Sequence, residues 1–307
     1  MARHNREQAR KGGTAWRVVF VIALVVFAGS LIALGVMAFS YMQGQMKYSD
    51  AAKESGLDTD DIPNTDLAEV KVDWDALLAE NPDTVAWLYV PNTKINYPVV
   101  RGEDNEYYLT HSFDGDEGWL ANYGTVFLDY RNNPDWSDAS YFIYGHHMND
   151  GSMFSDLVGL TDQKRFDECR TLYLLTPKGN FKLRSFAMLH METEADIVQV
   201  SYQTPADMQA YVQDKINQSV VDLGTIPAAA DITKTFALFT CDNISLDGRY
   251  ILFAYIEETS AEGLTGNLGL DASNGQTTGF VNDLMVEEEP QKEPADGSQE
   301  EPRDDRQ

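Results

Sequence analysis

The chain has 307 residues and a formal net charge of −26 at pH 7, with 23 Lys and Arg residues against 49 Asp and Glu residues. This charge argues against nucleic-acid binding, because a protein that binds phosphates needs a basic surface. The two cysteines, Cys169 and Cys241, are too few for a disulfide framework, although they could form a single bridge. A chain of this length is expected to fold as one or two domains.

The N-terminal region predicts a membrane anchor. Residues 1–17 are basic, and residues 18–41 are almost wholly apolar and long enough to cross the bilayer core. A cleaved signal peptide is the alternative, but its apolar region would be shorter and would be followed by a small-residue cleavage site, whereas residues 42–46 are a poor cleavage signal. We therefore predict a cytoplasmic segment at 1–17 and a transmembrane helix at 18–41, with the rest of the chain outside, because basic flanks stay in the cytoplasm.

The stretch after the apolar segment is polar and acidic. Residues 42–69 contain Gly56 and Pro63 and are predicted to form an extracellular stalk. The folded domain is expected to occupy residues 70–258. It should begin with a short helix over residues 73–80, for which Asp73 is a possible N-cap.

Short runs of β-branched and aromatic residues predict about eight strands in this domain. They lie at residues 85–90, 95–100, 124–128, 141–144, 172–176, 181–191, 236–241 and 249–256. Turn residues at 91–94 and 177–180 indicate hairpins. Short strands with turn signals between them favour a barrel or a sandwich, so the predicted fold class is mainly β.

One longer helix is expected between the late strands. Thr204 is its predicted N-cap, and a proline follows at the first helical position. Four apolar residues recur on one face at helical spacing: Met208, Tyr211, Val212 and Ile216. This face should pack against the sheet.

Two reactive side chains bound the loop between the last two predicted strands. Cys241 ends one strand and Arg249 opens the next, and residues 242–248 between them are mostly turn formers. A cationic neighbour favours the nucleophilic thiolate, and a fixed guanidinium can donate hydrogen bonds to an oxyanion. The alternative is a buried structural cysteine beside a surface arginine. The catalytic interpretation needs Cys241 to be free, and Cys169, at a predicted helix end, is interpreted as structural.

A glycine and two histidines follow the strand at residues 141–144. His146 and His147 come directly after Gly145, where a side chain can reach a neighbouring strand and act as an acid or a base near neutral pH. A metal pair and a surface histidine are the alternatives. Adjacent histidines point apart on an extended chain, and no nearby set of ligands completes a site, so we predict neither a metal nor a cofactor.

The last segment changes composition. Residues 259–278 are rich in Gly, Ser, Thr and Asn, and residues 283–307 carry ten acids against three bases, with three prolines. Such a stretch cannot bury a core, so we predict a disordered acidic tail over residues 259–307.

Several motifs in the same order resemble the sortase family, and class B sortases most closely. They are Tyr-Gly-His-His at 144–147, Ser-Met-Phe at 152–154, Phe-Thr-Cys at 239–241 and the arginine at 249. Supporting similarity lies in residues 81–88, 95–102 and 105–109 and in the helix near 205–217. The resemblance covers about residues 73–257. The chain departs from the family in the stretch before the cysteine, where Ala237 replaces a threonine and Phe239 precedes Thr240, and in its long acidic tail.

The resemblance implies an eight-stranded sortase-type β-barrel with a few helices and a Cys-His-Arg site. In that site Cys241 is the nucleophile, His146 is the general acid and base, and Arg249 positions the substrate and holds the oxyanion. His147 matches no catalytic role.

The implied function is that of a membrane-anchored cysteine transpeptidase on a Gram-positive cell surface. It would cleave the C-terminal sorting signal of secreted proteins through a thioacyl-enzyme. It would then join them to an amine of a peptidoglycan precursor or a pilin. Two alternatives remain. One is a cell-wall cysteine peptidase of another fold, although such sites usually place the cysteine before the histidine. The other is a membrane-tethered binding module with an inert barrel.

Overall fold

The computed structural model describes residues 2–117, 123–191, 197–241 and 248–261, with side chains from residue 16 onward except that of Cys241. Residues 242–247 of the predicted loop and residues 262–307 of the predicted tail lie outside the described residues.

Eight strands close into a barrel in the order β1-β2-β3-β4-β7-β8-β6-β5. Their bounds are β1 Thr84–Tyr89, β2 Asn96–Val100, β3 Val126–Leu128, β4 Ser140–Tyr144, β5 Thr171–Leu175, β6 Phe181–Met191, β7 Thr235–Cys241 and β8 Arg249–Thr259. Two neighbouring pairs are parallel, β2 with β3 and β4 with β7, and the other pairs are antiparallel. The predicted β fold is confirmed, and the choice between barrel and sandwich is decided for the barrel.

The helices lie outside the barrel. Their bounds are α1 Ala2–Glu54, α2 Trp74–Glu80, α3 Tyr107–Thr110, α4 Asp156–Gly159, α5 Gln163–Glu168 and α6 Pro205–Gln218, with 3-10 turns at Ile62–Asn64 and Ala229–Asp231. Asp73 caps α2 as predicted, since its side chain accepts a hydrogen bond from the Ala76 amide at 3.0 Å. Cys169 ends α5 as a buried free thiol, so it forms no bridge to Cys241.

Helix α6 covers one side of the barrel. Thr204 and Asp207 form a capping box at its N-terminus. Met208, Tyr211 and Val212 are buried in a cluster with Phe186 and other barrel residues, as predicted. Ile216 packs against this cluster while only partly buried.

Strands β7 and β8 are buried on both faces. Phe236 and Leu238 pack into one core cluster, whereas Ala237 and Phe239 between them pack into the cluster beneath α6. Alternation of this kind follows from the pleat, which sends successive side chains to opposite faces. Burying each large apolar side chain contributes about 1.5–3 kcal/mol. The two strands that carry Cys241 and Arg249 are therefore firmly held.

Helix α1 extends beyond the predicted transmembrane segment and differs from the stalk expected at residues 42–69. Its described part from Trp16 is long and apolar enough to cross a membrane, and the apolar side chains there are exposed. Tyr48 and Ala51 are instead buried against the barrel. The two residues are three apart and share one face of the polar C-terminal end of the helix, which gives this end an apolar stripe that packs on the domain.

Candidate functional site

The end of β4 is tied closely to β7. The Gly145 amide donates a hydrogen bond to the Phe239 carbonyl at 3.0 Å, which extends the parallel pairing of the two strands by one residue. A Cβ atom at position 145 would lie 2.7 Å from the Phe154 ring. Only glycine fits there, so it brings the following histidine against the end of β7.

His146 is held at the edge of a cavity by two neighbouring segments. Its Nε2 lies 2.7 Å from the Leu109 carbonyl, and its own carbonyl accepts a hydrogen bond from the Phe154 amide at 2.9 Å. A carbonyl can only accept, so Nε2 carries the proton of the neutral ring. Nδ1 is then the nitrogen that can take up a further proton. His147 pairs through its backbone with Met153 and does not line the cavity.

Cys241 and Arg249 are directly paired in the register of β7 and β8. Met191 of β6 pairs with Arg249 on its other side, so three strands position this arginine. Arg249 Nη1 donates to the Gly248 carbonyl at 2.9 Å, and the side chain lines the cavity. The structure therefore brings His146 and Arg249 to the same cavity and places the backbone of Cys241 beside them.

The cavity has a volume of about 360 Å³. This is within the usual range for sites that bind small molecules or side chains. Its aromatic lining comes from Phe127, Tyr144 and Phe239. Polar groups are contributed by Asn105, Arg131, His146, Thr240 and Arg249. Thr240 is almost fully buried, and its hydroxyl has no hydrogen-bond partner among the described residues. The cavity therefore combines an aromatic lining with several polar groups.

Three of these lining residues have no role predicted from the sequence, namely Asn105, Arg131 and Tyr144, although Tyr144 opens the Tyr-Gly-His-His motif. Asn105 lies in a segment already identified as similar to the family, which is the only sequence signal for it. Arg131 follows β3 in a stretch of turn residues, and nothing local distinguishes it from a surface arginine. Among the described residues, no group of three or more His, Cys, Asp or Glu side chains is placed to hold a metal ion.

Comparison with known proteins gives a consistent result. The Sortase domain family model matches residues 88–257. Sortase B of Listeria monocytogenes is 31% identical over 221 residues, which are 69% of this chain and 88% of that protein. The crystal structure of sortase B from B. anthracis has a TM-score of 0.60 at 25% identity and covers 71% of this chain and 98% of its own. A Staphylococcus aureus sortase B–substrate complex has a TM-score of 0.61 at 22% identity. The match covers 71% of this chain and 98% of that chain, and it shows the shared fold. The predicted sortase-type barrel is confirmed.

Proposed function

This chain belongs to the sortase family and is a class B-like cysteine transpeptidase, and we propose that it works as an anchored enzyme on the outer face of a Gram-positive membrane. The exposed apolar side chains of α1 between residues 18 and 39 support the anchor. The basic residues 1–17 support a cytoplasmic N-terminus, which leaves the barrel outside.

The site residues that we propose are Cys241, His146 and Arg249, and the observation that carries this assignment is that His146 and Arg249 line one cavity beside the end of the strand that carries Cys241. β4 and β7 are parallel, so both end at the same edge of the barrel. β8 starts there in register with Cys241. A nucleophile, an acid–base group and a cationic hydrogen-bond donor at one edge are the three parts that acyl transfer requires.

In the proposed reaction, the Cys241 thiolate attacks the carbonyl carbon of the scissile peptide bond in a sorting signal. Arg249 donates hydrogen bonds to the oxygen that becomes negative in the tetrahedral intermediate. His146 gives a proton to the departing amine as the C–N bond breaks and a thioester forms. An acceptor amine then attacks the thioester, His146 takes up its proton, and the thiolate leaves.

We propose that the donor substrates are secreted proteins with C-terminal sorting signals and that the acceptor is an amine of a peptidoglycan precursor or a pilin. Sortase B of S. aureus, which shares the fold, forms a complex with a substrate, and we propose that a sorting peptide occupies the cavity of this chain. The two alternatives make different predictions. A peptidase would transfer the acyl group to water, and a binding module would form no thioester.

Product analysis tests this function on the full-length chain in detergent micelles. The chain is incubated with a library of sorting-signal peptides and with triglycine, a peptidoglycan stem peptide or a lysine-containing pilin peptide, and the products are identified by mass spectrometry. We expect a new amide between a cleaved peptide and one amine. Hydrolysis alone would favour the peptidase, and the absence of any thioester would favour the binding module.

Cysteine and histidine variants test the residue assignment in the same assay. Cys241→Ala should abolish product formation, because it removes the thiol that attacks the scissile carbonyl, whereas the matched control Cys169→Ala should retain activity. His146→Ala should lower the rate by about 100-fold or more, because it removes the acid–base group. His147→Ala should cost much less. Equal losses in the two histidine variants, or cleavage by Cys241→Ala, would contradict the assignment.

A further inference from the structure

A buried carboxylate organises one wall of the cavity. Asp129 follows β3, and its side chain has no exposed surface. Five hydrogen bonds of 2.6–3.0 Å converge on its two oxygens. The donors are the amide, Nε and Nη2 of Arg131, Nδ2 of Asn105 and the hydroxyl of Tyr144. All three residues line the cavity.

Burying this carboxylate has an energetic cost. Burial alone raises the pKa of Asp129, but the hydrogen bonds from Arg131 and Asn105 and the charge of Arg131 outweigh it, so the pKa lies below its usual value. The group is therefore ionised in the folded protein. Desolvation of a buried ion costs several kcal/mol, which an apolar side chain would avoid. We therefore expect the carboxylate to serve by positioning the side chains that donate hydrogen bonds to it.

Arg131 presents one edge of its guanidinium to the cavity. Nε and Nη2 donate to Asp129, whereas Nη1 makes no hydrogen bond within the part of the chain that the structure describes, and the guanidinium carbon lies 5.8 Å from the centre of the Tyr130 ring. The side chain is 42% exposed. A guanidinium held in this way is suited to bind a carboxylate or amide oxygen. The described residues that line the cavity include two arginines and no acid, so a substrate cation is disfavoured there.

We propose that Asp129 is a positioning residue for transpeptidation and that Arg131 determines specificity. Asp129 holds Asn105, Tyr144 and Arg131 as a preformed wall, and Arg131 binds an oxygen atom on a side chain of the sorting peptide. The enzyme therefore prefers an acidic or amide side chain at that position over a basic one. This inference rests on the proposed function, which assigns the cavity to the peptide.

The loop that carries Arg131 has supports besides Asp129. Arg101 donates to the carbonyls of Tyr130 and Asn132 at 2.6 Å and 2.7 Å. The buried Asn132 side chain donates to the Ser140 carbonyl at 2.7 Å. Because these contacts hold the loop backbone, Asp129→Asn is expected to release the lining side chains while leaving the barrel folded.

Kinetics with the full-length chain test the proposal. The substrate is the best peptide from the library, with each position before the scissile bond replaced in turn by Glu, Gln or Lys, and triglycine is the acceptor. At one position we expect kcat/KM for Glu to exceed that for Lys by about tenfold in the wild type and by less than about twofold in Arg131→Gln. Arg131→Lys should keep part of the preference, because it retains the charge without the planar fork.

Asp129→Asn should raise KM by about tenfold and change kcat by less than about threefold, because it weakens the binding of ground and transition states alike. Alkylation of Cys241 by iodoacetamide should stay at the wild-type rate. Asp138→Asn is the matched control, since this carboxylate lies in the same loop and accepts from Asn132 Nδ2 at 2.9 Å and the Asn133 amide at 2.7 Å. The Asp138 side chain contacts neither Asn105 nor Arg131, so the KM of Asp138→Asn should equal that of the wild type.

An unchanged ratio of Glu to Lys substrates in Arg131→Gln would overturn the specificity role. An equal rise of KM in Asp138→Asn, or a fall of kcat alone in Asp129→Asn, would overturn the positioning role. If Asp129→Asn does not fold, the ratio of Glu to Lys substrates in the Arg131 variants decides the proposal. The two proposals fail in different ways. If the proposed function is wrong, the wild type makes no transpeptidation product. If only this inference is wrong, the wild type makes product at equal rates from the Glu and Lys peptides.

Discussion

Arg249 shows how backbone placement determines what one side chain can do. It opens β8 between Cys241 of β7 and Met191 of β6, so its Cα position is set by pairing on both sides. Its side chain reaches the cavity from this fixed point. An arginine in this position can supply positive charge to the thiolate, directed hydrogen bonds to the oxyanion, or both.

Replacing Arg249 by lysine separates these two roles. Lysine keeps the charge but loses the planar fork, so we expect the rate of transpeptidation to fall by at least about 100-fold, roughly 2.7 kcal/mol of transition-state stabilisation. Alkylation of Cys241 should change much less, because it depends on the thiolate population. If Arg249→Lys turns over at nearly the wild-type rate, or if alkylation and turnover fall together, then Arg249 acts only through its charge.

At the scale of elements, α1 is attached to the segments that surround His146. The Tyr48 hydroxyl donates to the Gly124 carbonyl, and Lys47 forms ion pairs with Asp114 and Asp116 at 2.7 Å and 2.8 Å. Gly124 adopts a φ of +52°, and a Cβ there would lie 3.1 Å from the His146 ring. Helix α1 and His146 therefore share a neighbour.

Tyr48→Phe tests this attachment. It keeps the packing of the ring and removes one donor, and the loss of such a hydrogen bond costs about 0.5–1.5 kcal/mol. We expect the melting temperature of the full-length chain to fall by about 2–4 °C for each kcal/mol lost. The rate should fall too, since Gly124 packs beside His146. Ser49→Ala, at an exposed neighbouring position of α1, is the control, and an equal effect there would argue against a specific contact.

At the scale of the whole molecule, the closed barrel extends slightly past the predicted end of the domain at residue 258. The Ser260 amide donates to the Asn180 carbonyl at 2.9 Å, and the Ser260 hydroxyl accepts from the Asn180 amide at 2.9 Å. Ala261 is buried, and its Cα lies so close to Gly179 that a Cβ on that glycine would be 2.4 Å away. The chain is therefore packed on the barrel as far as residue 261.

Two truncations should differ because of this packing. Deleting residues 271–307 removes acids and prolines and few apolar groups, so we expect the melting temperature and the rate of transpeptidation to stay nearly unchanged. Deleting residues 260–307 also removes the contacts of Ser260 and Ala261, and the melting temperature should fall by several degrees. A large fall in the melting temperature after deletion of residues 271–307 alone would show that the tail packs on the barrel.

Local patterns in the sequence were sufficient to predict all eight strands, the capped helix α6 and the order of the Gly-His, Thr-Cys and Arg motifs. Pleat alternation, capping chemistry and turn residues act over a few neighbouring positions and leave a readable signal. The roles of Cys241, His146 and Arg249 came from the family resemblance and stay predictions.

Only the tertiary structure decided which of these pieces meet. The parallel pairing of β4 with β7 brings Gly145 to the end of the cysteine strand, although the two are far apart in the chain. The contacts of Asp129 with Asn105 and Tyr144, and the packing of Tyr48 on the barrel, likewise join distant segments. Such contacts depend on how whole elements pack, and local propensity and periodicity do not report on that.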